Sequence, residues 1–279
     1  MSEDPRVREF RAVVWRYYRE HGRHDLAWRR TRDPYRILVS EVMLQQTQVP
    51  RVIEKYKEFL KAFPTVHALA AAPLADVLRV WSGMGYNRRA KYLLEGAKTI
   101  VGEHSGRVPK DAATLRSIPG IGPYTASAIL IFAYNTPDTM IETNIRAAHI
   151  HHFYPHQPEK ETQHKCSSKL SNCENHRSKK INDRDLLPFI SKAAEGQDPR
   201  AWHWALMDYG SHLKKLHGNP SRKSAHHTKQ SKFEGSLRQV RGAILRAQTQ
   251  GTPLSEVKRR YADKYKEALT SLRREGLIT

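Results

Sequence analysis

The chain has 279 residues, room for two small domains or one large one, with 39% hydrophobic side chains and two cysteines. Its 48 Lys and Arg outweigh 28 Asp and Glu, a net charge of +20, which predicts a polyanionic partner, nucleic acid before an anionic membrane surface. Two cysteines exclude a disulfide framework, no apolar run is long enough to span a bilayer, and MSEDPRVREF lacks the apolar core of an export signal, so a reducing cytoplasm is expected.

The first 150 residues read almost wholly as helix. Apolar residues recur at three- and four-residue steps: Val7, Phe10, Val13, Val14 and Tyr17, then Leu38, Val42, Val49, Ile53 and Tyr56. Pro34, Pro64, Pro73, Pro109, Pro119 and Pro137 punctuate boundaries, and Pro50 demands a kink or restart within its run. In 40–52, SEVMLQQTQVPRV, Glu41 falls in the buried stripe, and Gln45, Gln46, Thr47 and Gln48 are read onto the same helix. A carboxylate there is costly unless paired or in a cleft. The helix suits a lined pocket; a solvated edge with Glu41 paired to an arginine is the alternative.

In 81–93, WSGMGYNRRAKYL, Gly83 and Gly85 make a tight turn that presents Tyr86 beside Arg88 and Arg89. That arrangement suits base stacking and phosphate contact, against a plain core tyrosine. In 115–133, LRSIPGIGPYTASAILIFA, Gly120 and Gly122 permit positive φ and leave backbone N–H groups facing outward at a helix start, both favourable to phosphate. Residues 141–152, IETNIRAAHIHH, open a helix on a carboxylate. Glu142 there is at least an anion near a helix N-terminus, worth about 0.3–1 kcal/mol. His149, His151 and His152 read as helix surface facing phosphates or solvent rather than as metal ligands.

From about 155 to 181 the chain turns polar and basic, as an insertion would. It holds His164, Cys166, Cys173 and His176, a donor set structural zinc accepts at a spacing no standard finger uses, so a polar loop is the favoured reading. Helical pattern returns at LLPFISKAA and WHWALMDYGSHLKKL, and HGNPSRKSAHHTKQSKFEGS reads as a basic linker. The last 45 residues suggest three short helices, a small helix-turn-helix-like module.

In this order LAWRRTRDPYRILVSEVMLQQTQV, WSGMGYNRRA, IPGIGPYTASAI and ETNIRA resemble the helix-hairpin-helix DNA glycosylases, in their MutY-like adenine glycosylase branch. The similarity runs from about Leu26 to Ala148 and returns at AWHWALMDYGS. It implies an all-α glycosylase domain over 1–230 with two lobes around the active cleft, one of about 29–137 and one joining the N-terminal helix to 138–230, beside the helical module read over 235–279. It implies Glu41 as the acid that protonates a departing adenine, Glu142 in place of the family's aspartate at the sugar cation, and Asn144 beside them. Tyr124 stands where bifunctional relatives of the endonuclease III type carry a lysine, so no Schiff base forms and the enzyme is monofunctional. Gln46 and Tyr86 match wedge residues, and Trp28 a tryptophan near the base pocket. Gln45, Arg88, Arg89, Gly120, Gly122 and Thr125 complete the expected DNA contacts.

Three departures stand out. Glu142 is one methylene longer than the family's aspartate, a shift of about 1 Å that can cost on the order of a hundredfold in rate. The family's iron–sulfur cluster needs four cysteines after MDYGSHLKKL and none is there, so no cofactor is expected; Lys and Arg of 214–232 stand in for its DNA contacts. The large domain that reads oxidised guanine is also missing from this sequence. The expectation is a monomeric base excision repair enzyme, in a bacterial or archaeal cytoplasm with the nucleoid. It removes a mismatched purine from double-stranded DNA, adenine opposite guanine or 8-oxoguanine. The alternatives are a mismatch thymine or uracil glycosylase, and a lesion-binding protein with weakened catalysis.

Overall fold

The computed structural model describes residues 4–155, 180–228 and 232–278. The described residues form helices joined by turns, with no strand among them beyond one isolated bridge between Ile181 and Ser224. In chain order these are α1 (Pro5–His21), a 3₁₀ turn (Ala27–Arg29), α2 (Pro34–Leu44), α3 (Val49–Ala62), α4 (Val66–Ala70), α5 (Leu74–Val80) and α6 (Arg88–His104). There follow α7 (Ala112–Ser117), α8 (Pro123–Phe132), α9 (Thr143–Phe153), α10 (Asp183–Ala194) and α11 (Pro199–Leu216). A second 3₁₀ turn (Pro220–Lys223), α12 (Leu237–Gln250), α13 (Leu254–Arg260) and α14 (Ala262–Arg274) complete the chain. No helix among the described residues is long and apolar enough to cross a membrane.

Side-chain caps and first-turn prolines explain most helix starts. Asp4, Asp33, Asp111 and Asp198 each accept a backbone N–H of the helix they precede, and α1, α2, α3, α8 and α11 carry Pro in their first positions. Pro50 acts in this way: α2 stops at Leu44 and a new helix begins at Val49.

The chain divides into two compact units. The first comprises Met1–Arg23 and Thr139–Thr228. Here α1 buries Val7, Phe10, Val14 and Tyr18, spaced at three and four residues, among α9, α10 and α11. Arg11 closes the end of α10, donating from Nε to the Ala193 carbonyl (2.9 Å) and from Nη2 to those of Lys192 (2.6 Å) and Glu195 (2.8 Å). The supposed linker after α11 is folded as far as Ala225. Ile181 donates to the Lys223 carbonyl (3.0 Å) and accepts from Ala225 (2.9 Å), and Ser221 and Ser224 are buried. Backbone pairing, which composition does not reveal, makes the difference.

Of the α9 histidines, expected at the surface, His149 is interior and His151 and His152 are half-buried. His149 is fully buried against the rings of Phe10 (4.8 Å between centroids) and Phe153 (5.9 Å). Its Nδ1–H donates to the Ile145 carbonyl (2.8 Å), and its Nε2 has no hydrogen-bond partner among the described residues. His152 packs on Phe10 and pairs with the Tyr209 hydroxyl (2.7 Å). Burial holds both imidazoles well below 6.5, at about 4. Between pH 6.5 and about 4 the unfolded chain therefore takes up protons that the folded one refuses. Stability is complete above this window and falls as pH drops through it, by about 3 kcal/mol for His149 alone. Urea midpoints at neutral and acid pH should show this loss, and His149→Leu should shrink it; an unchanged acid dependence in that variant would refute the assignment.

The second unit comprises His24–Asp138 and Lys229–Thr279. α2 is its centre, packed on α3, α6 and α8, with Ile37, Leu38, Val39 and Met43 buried. The three C-terminal helices belong to this unit instead of standing apart: α12 packs on α14 and α5, and Lys91 Nζ donates to the Glu275 carbonyl (2.6 Å).

Candidate active site

Glu41 sits on the last turn of α2 and is 5% exposed. The Tyr124 hydroxyl donates to its Oε2 at 3.2 Å. Tyr124 is brought there by the hairpin α7–turn–α8. Gly120 turns the chain with φ +83°, and a Cβ at that position would lie 2.8 Å from Tyr92 Cβ. Gly122, for which positive φ was also expected, is extended (φ −82°, ψ 178°) and is the N-cap of α8. It is exposed and has no side chain to cap the start of α8, a helix N-terminus of the kind that favours an anion. Thr125, expected at DNA, is buried instead, its Oγ1 facing Gln45 Nε2 at 3.3 Å.

The glutamine run is not on the Glu41 helix. α2 ends at Leu44 because one guanidinium gathers its last carbonyls. Arg89 Nη1 donates to Val42 (2.8 Å), Met43 (3.0 Å) and Gln45 (2.6 Å), and Nη2 to Thr47 Oγ1 (3.1 Å), Met84 O (3.3 Å) and Gly85 O (3.1 Å). Arg89 is therefore an internal tie and not the phosphate contact that its sequence neighbourhood suggests. It is 9% exposed, and burial pulls it down to about 10, so it stays charged at neutral pH. This tie joins the loop after α2 to the turn before α6. Gln46 and Tyr86, the two expected wedge residues, occupy those loops with φ of +55° and +48°. Left-handed backbone at two non-glycine residues costs on the order of 1 kcal/mol each and persists where surrounding structure over-determines it. Gln46 is exposed and Tyr86 half-buried, with Arg88 exposed beside it. Trp28 is a core side chain, 6% exposed and edge-on to Tyr56 (5.5 Å).

Glu142 is the N-cap of α9. Its Oε1 accepts from the backbone N–H of Asn144 (2.7 Å) and Ile145 (3.0 Å), and its Oε2 from Asn144 Nδ2 (3.1 Å). The longer side chain curls back to do what a shorter Asp does at most caps. Burial pushes the Glu142 carboxyl up, while these N–H donors and the charge of Lys214 pull it down. Asn144 Oδ1 is buried and has no hydrogen-bond partner among the described residues. Arg146 anchors the next turn through a two-pronged pair with Asp183 (2.7 and 2.8 Å). Two residues of α11 matter here that composition did not single out. Asp208 is buried and binds the Arg23 guanidinium (2.7 Å), fixing the end of α1. Gly210 lets α11 touch the start of α9, since a Cβ there would lie 2.0 Å from the Asn144 carbonyl oxygen.

Metal chemistry finds little support in these residues. Lys214, Lys215, Leu216 and His217 follow MDYGSHL, so the thiolate set of an iron–sulfur cluster does not fit. No cluster of three or more His, Cys, Asp or Glu among the described residues could hold a metal ion. His164, Cys166, Cys173 and His176 lie outside the described residues.

Residues 39–172 match the family described as HhH-GPD superfamily base excision DNA repair protein. An adenine DNA glycosylase of Mycolicibacterium smegmatis is 48% identical over 128 residues, 46% of this chain and 44% of that protein. A thymine-DNA glycosylase of Aeropyrum pernix is 36% identical over 141 residues, 50% of this chain and 63% of that protein. The chain thus spans less than half the length of the adenine glycosylase that it matches. In three dimensions it shares the fold of a thermostable thymine-DNA glycosylase, with a TM-score of 0.59 at 21% identity over 74% of this chain and 86% of that one.

Proposed function

We propose that this protein is a monofunctional DNA glycosylase that hydrolyses the N-glycosidic bond of a mismatched purine, adenine opposite guanine or 8-oxoguanine, acting as a monomer on double-stranded DNA. The observation that carries this reading is the buried Glu41 carboxyl with the Tyr124 hydroxyl at 3.2 Å, in a domain akin to adenine glycosylases. A purine leaves as a neutral base only if a proton reaches its ring, and Glu41 is the acid of that step. The sugar left behind carries oxocarbenium character and needs an anion; Glu142 is that anion. Asn144 steers it through the Nδ2 bond, and its unpartnered Oδ1 is an acceptor for a donor from substrate or water. Tyr124 cannot form a Schiff base, so strand cleavage by that route is absent. Gln46 and Tyr86 fill the stack when the base leaves it, and the exposed start of α8 at Gly122, with Arg88, holds phosphate. No iron–sulfur cluster takes part.

A thymine or uracil mismatch glycosylase is the second reading, favoured by the relative from Aeropyrum pernix. Base release from duplexes bearing A·8-oxoG, A·G, T·G and U·G pairs decides between them, with release from the A pairs expected. No release from any pair would leave the lesion-binding alternative. Glu142→Asp in the same assay tests the added methylene: Asp caps helices well, so the helix should keep its stability. A hundredfold loss, on the order that about 1 Å of misplacement produces, would mean that the site is built around Glu.

A further inference from the structure

The C-terminal helices carry charge that base removal does not require. On α12 the side chains of Val240, Ile244 and Ala247 are buried, while Arg238, Arg241, Gly242 and Arg246, with the buried Leu245 between them, recur at helical spacing on another side. That side forms one wall of a groove of about 990 Å³, whose other walls are the Gln45–Gln48 loop and the Ser82–Arg89 turn. The groove is strongly cationic. Glu275 is the one acid among its lining residues, against Arg51, Arg88, Arg89, Arg238, Arg241 and Arg246. Glu275 is committed to Arg241, with Arg88 3.7 Å away. Arg51 and Arg246 are exposed and have no ion pair among the described residues.

Two details tie this wall to Tyr86 and to an occupant. The Arg238 guanidinium lies over the Tyr86 ring, 5.1 Å from its centroid, and donates to the Tyr86 hydroxyl. Gly242 sits inside the helix, where glycine costs up to about 1 kcal/mol relative to alanine. Yet a Cβ there would meet only Arg246 Nη1, at 3.6 Å, an ordinary contact. The fold has room for a side chain that the sequence leaves out, and the bare backbone keeps the middle of the groove open.

We propose that α12 is a DNA-binding wall. It takes the phosphodiester backbone of the duplex at the wedge residues, on Arg246 and Arg51 and over Gly242, and Arg238 is a positioning residue that holds Tyr86. This rests on the glycosylase reading and extends it to the C-terminal module. Phosphate suits an open, cationic groove with unpaired arginines at its edge.

Anisotropy of a labelled duplex, titrated with the full chain across a salt series, tests the proposal. Arg246→Gln should lower the slope of log Kd against log salt by about 0.9, the release of one counterion. Gly242→Phe should fill the groove and weaken binding by roughly tenfold, with a melting temperature no lower than the parent's. Lys258→Gln removes one charge from α13, outside the groove lining, and should leave the slope unchanged. Equal slopes for Arg246→Gln and Lys258→Gln, or parental affinity in a folded Gly242→Phe protein, would overturn the α12 assignment. Those outcomes alongside normal base release by the parent leave the glycosylase reading intact. A parent that neither binds a duplex nor releases a base from any of them removes both.

Discussion

Glu41→Gln abolishes base release and leaves duplex binding at the parental dissociation constant. The amide is the same size as the carboxyl and can still accept the Tyr124 hydroxyl, so the α2 helix and the hairpin keep their contacts. What it lacks is a transferable proton. General acid catalysis contributes about 10²–10⁴ in rate, and a purine that must leave unprotonated loses that factor. Single-turnover base release on the preferred mismatch measures the loss, and anisotropy on the same duplex measures binding. A variant that retains the parental rate would move the acid elsewhere. One that loses binding and rate together would make Glu41 a structural carboxylate of the buried stripe.

Gly210→Ala should be nearly as damaging, from a residue that touches no substrate. The new Cβ would sit 2.0 Å from the Asn144 carbonyl oxygen and 2.6 Å from its carbon. Both are backbone atoms, so no side chain can swing aside and α11 must part from α9. Overpacking of this kind costs about 1–3 kcal/mol and sometimes more. The start of α9 carries Glu142 and Asn144, and a displacement of about 1 Å there costs on the order of a hundredfold in rate. Denaturant midpoints and single-turnover rates read the two effects separately. Gly102→Ala is the control, since a Cβ there meets nothing within 4 Å and alanine favours the helix. If Gly210→Ala were as benign as Gly102→Ala, the close approach would play no part in placing Glu142.

Much of this site is legible in the linear sequence, and the exceptions share a cause. Helix spacing marked Val7, Phe10 and Val14, and leucine and isoleucine neighbours put Glu41 in a buried stripe, because periodicity reports which face a helix turns inward. Glycine and proline marked the hairpin and the restart at Val49, because their backbone limits act locally. Periodicity could not say where the partner of a polar side chain lies. Arg88 and Arg89 are adjacent and alike in sequence. One is exposed, while the other is spent on carbonyls of Val42, Met43 and Gln45, more than forty residues away. The same holds for Thr125, turned inward to Gln45, and for His149, whose ring packs on Phe10, far away in the chain.

The sequence by itself determined the helical class, the basic character and the residue types with their order: a glutamate before glutamines, a tyrosine after two glycines, a Pro-Gly-x-Gly hairpin, a carboxylate opening α9. These follow from local propensity, spacing and formal charge, which need no partner to be defined. Only the tertiary structure decided that Arg89 ends α2 and ties the two loops together. It alone put Tyr124 on Glu41, made Gly210 a contact point and set α12 against the groove of Gln46 and Tyr86. Each of these depends on atoms far apart in sequence coming within bonding distance, and burial and hydrogen-bond geometry are set only when the chain has closed on itself.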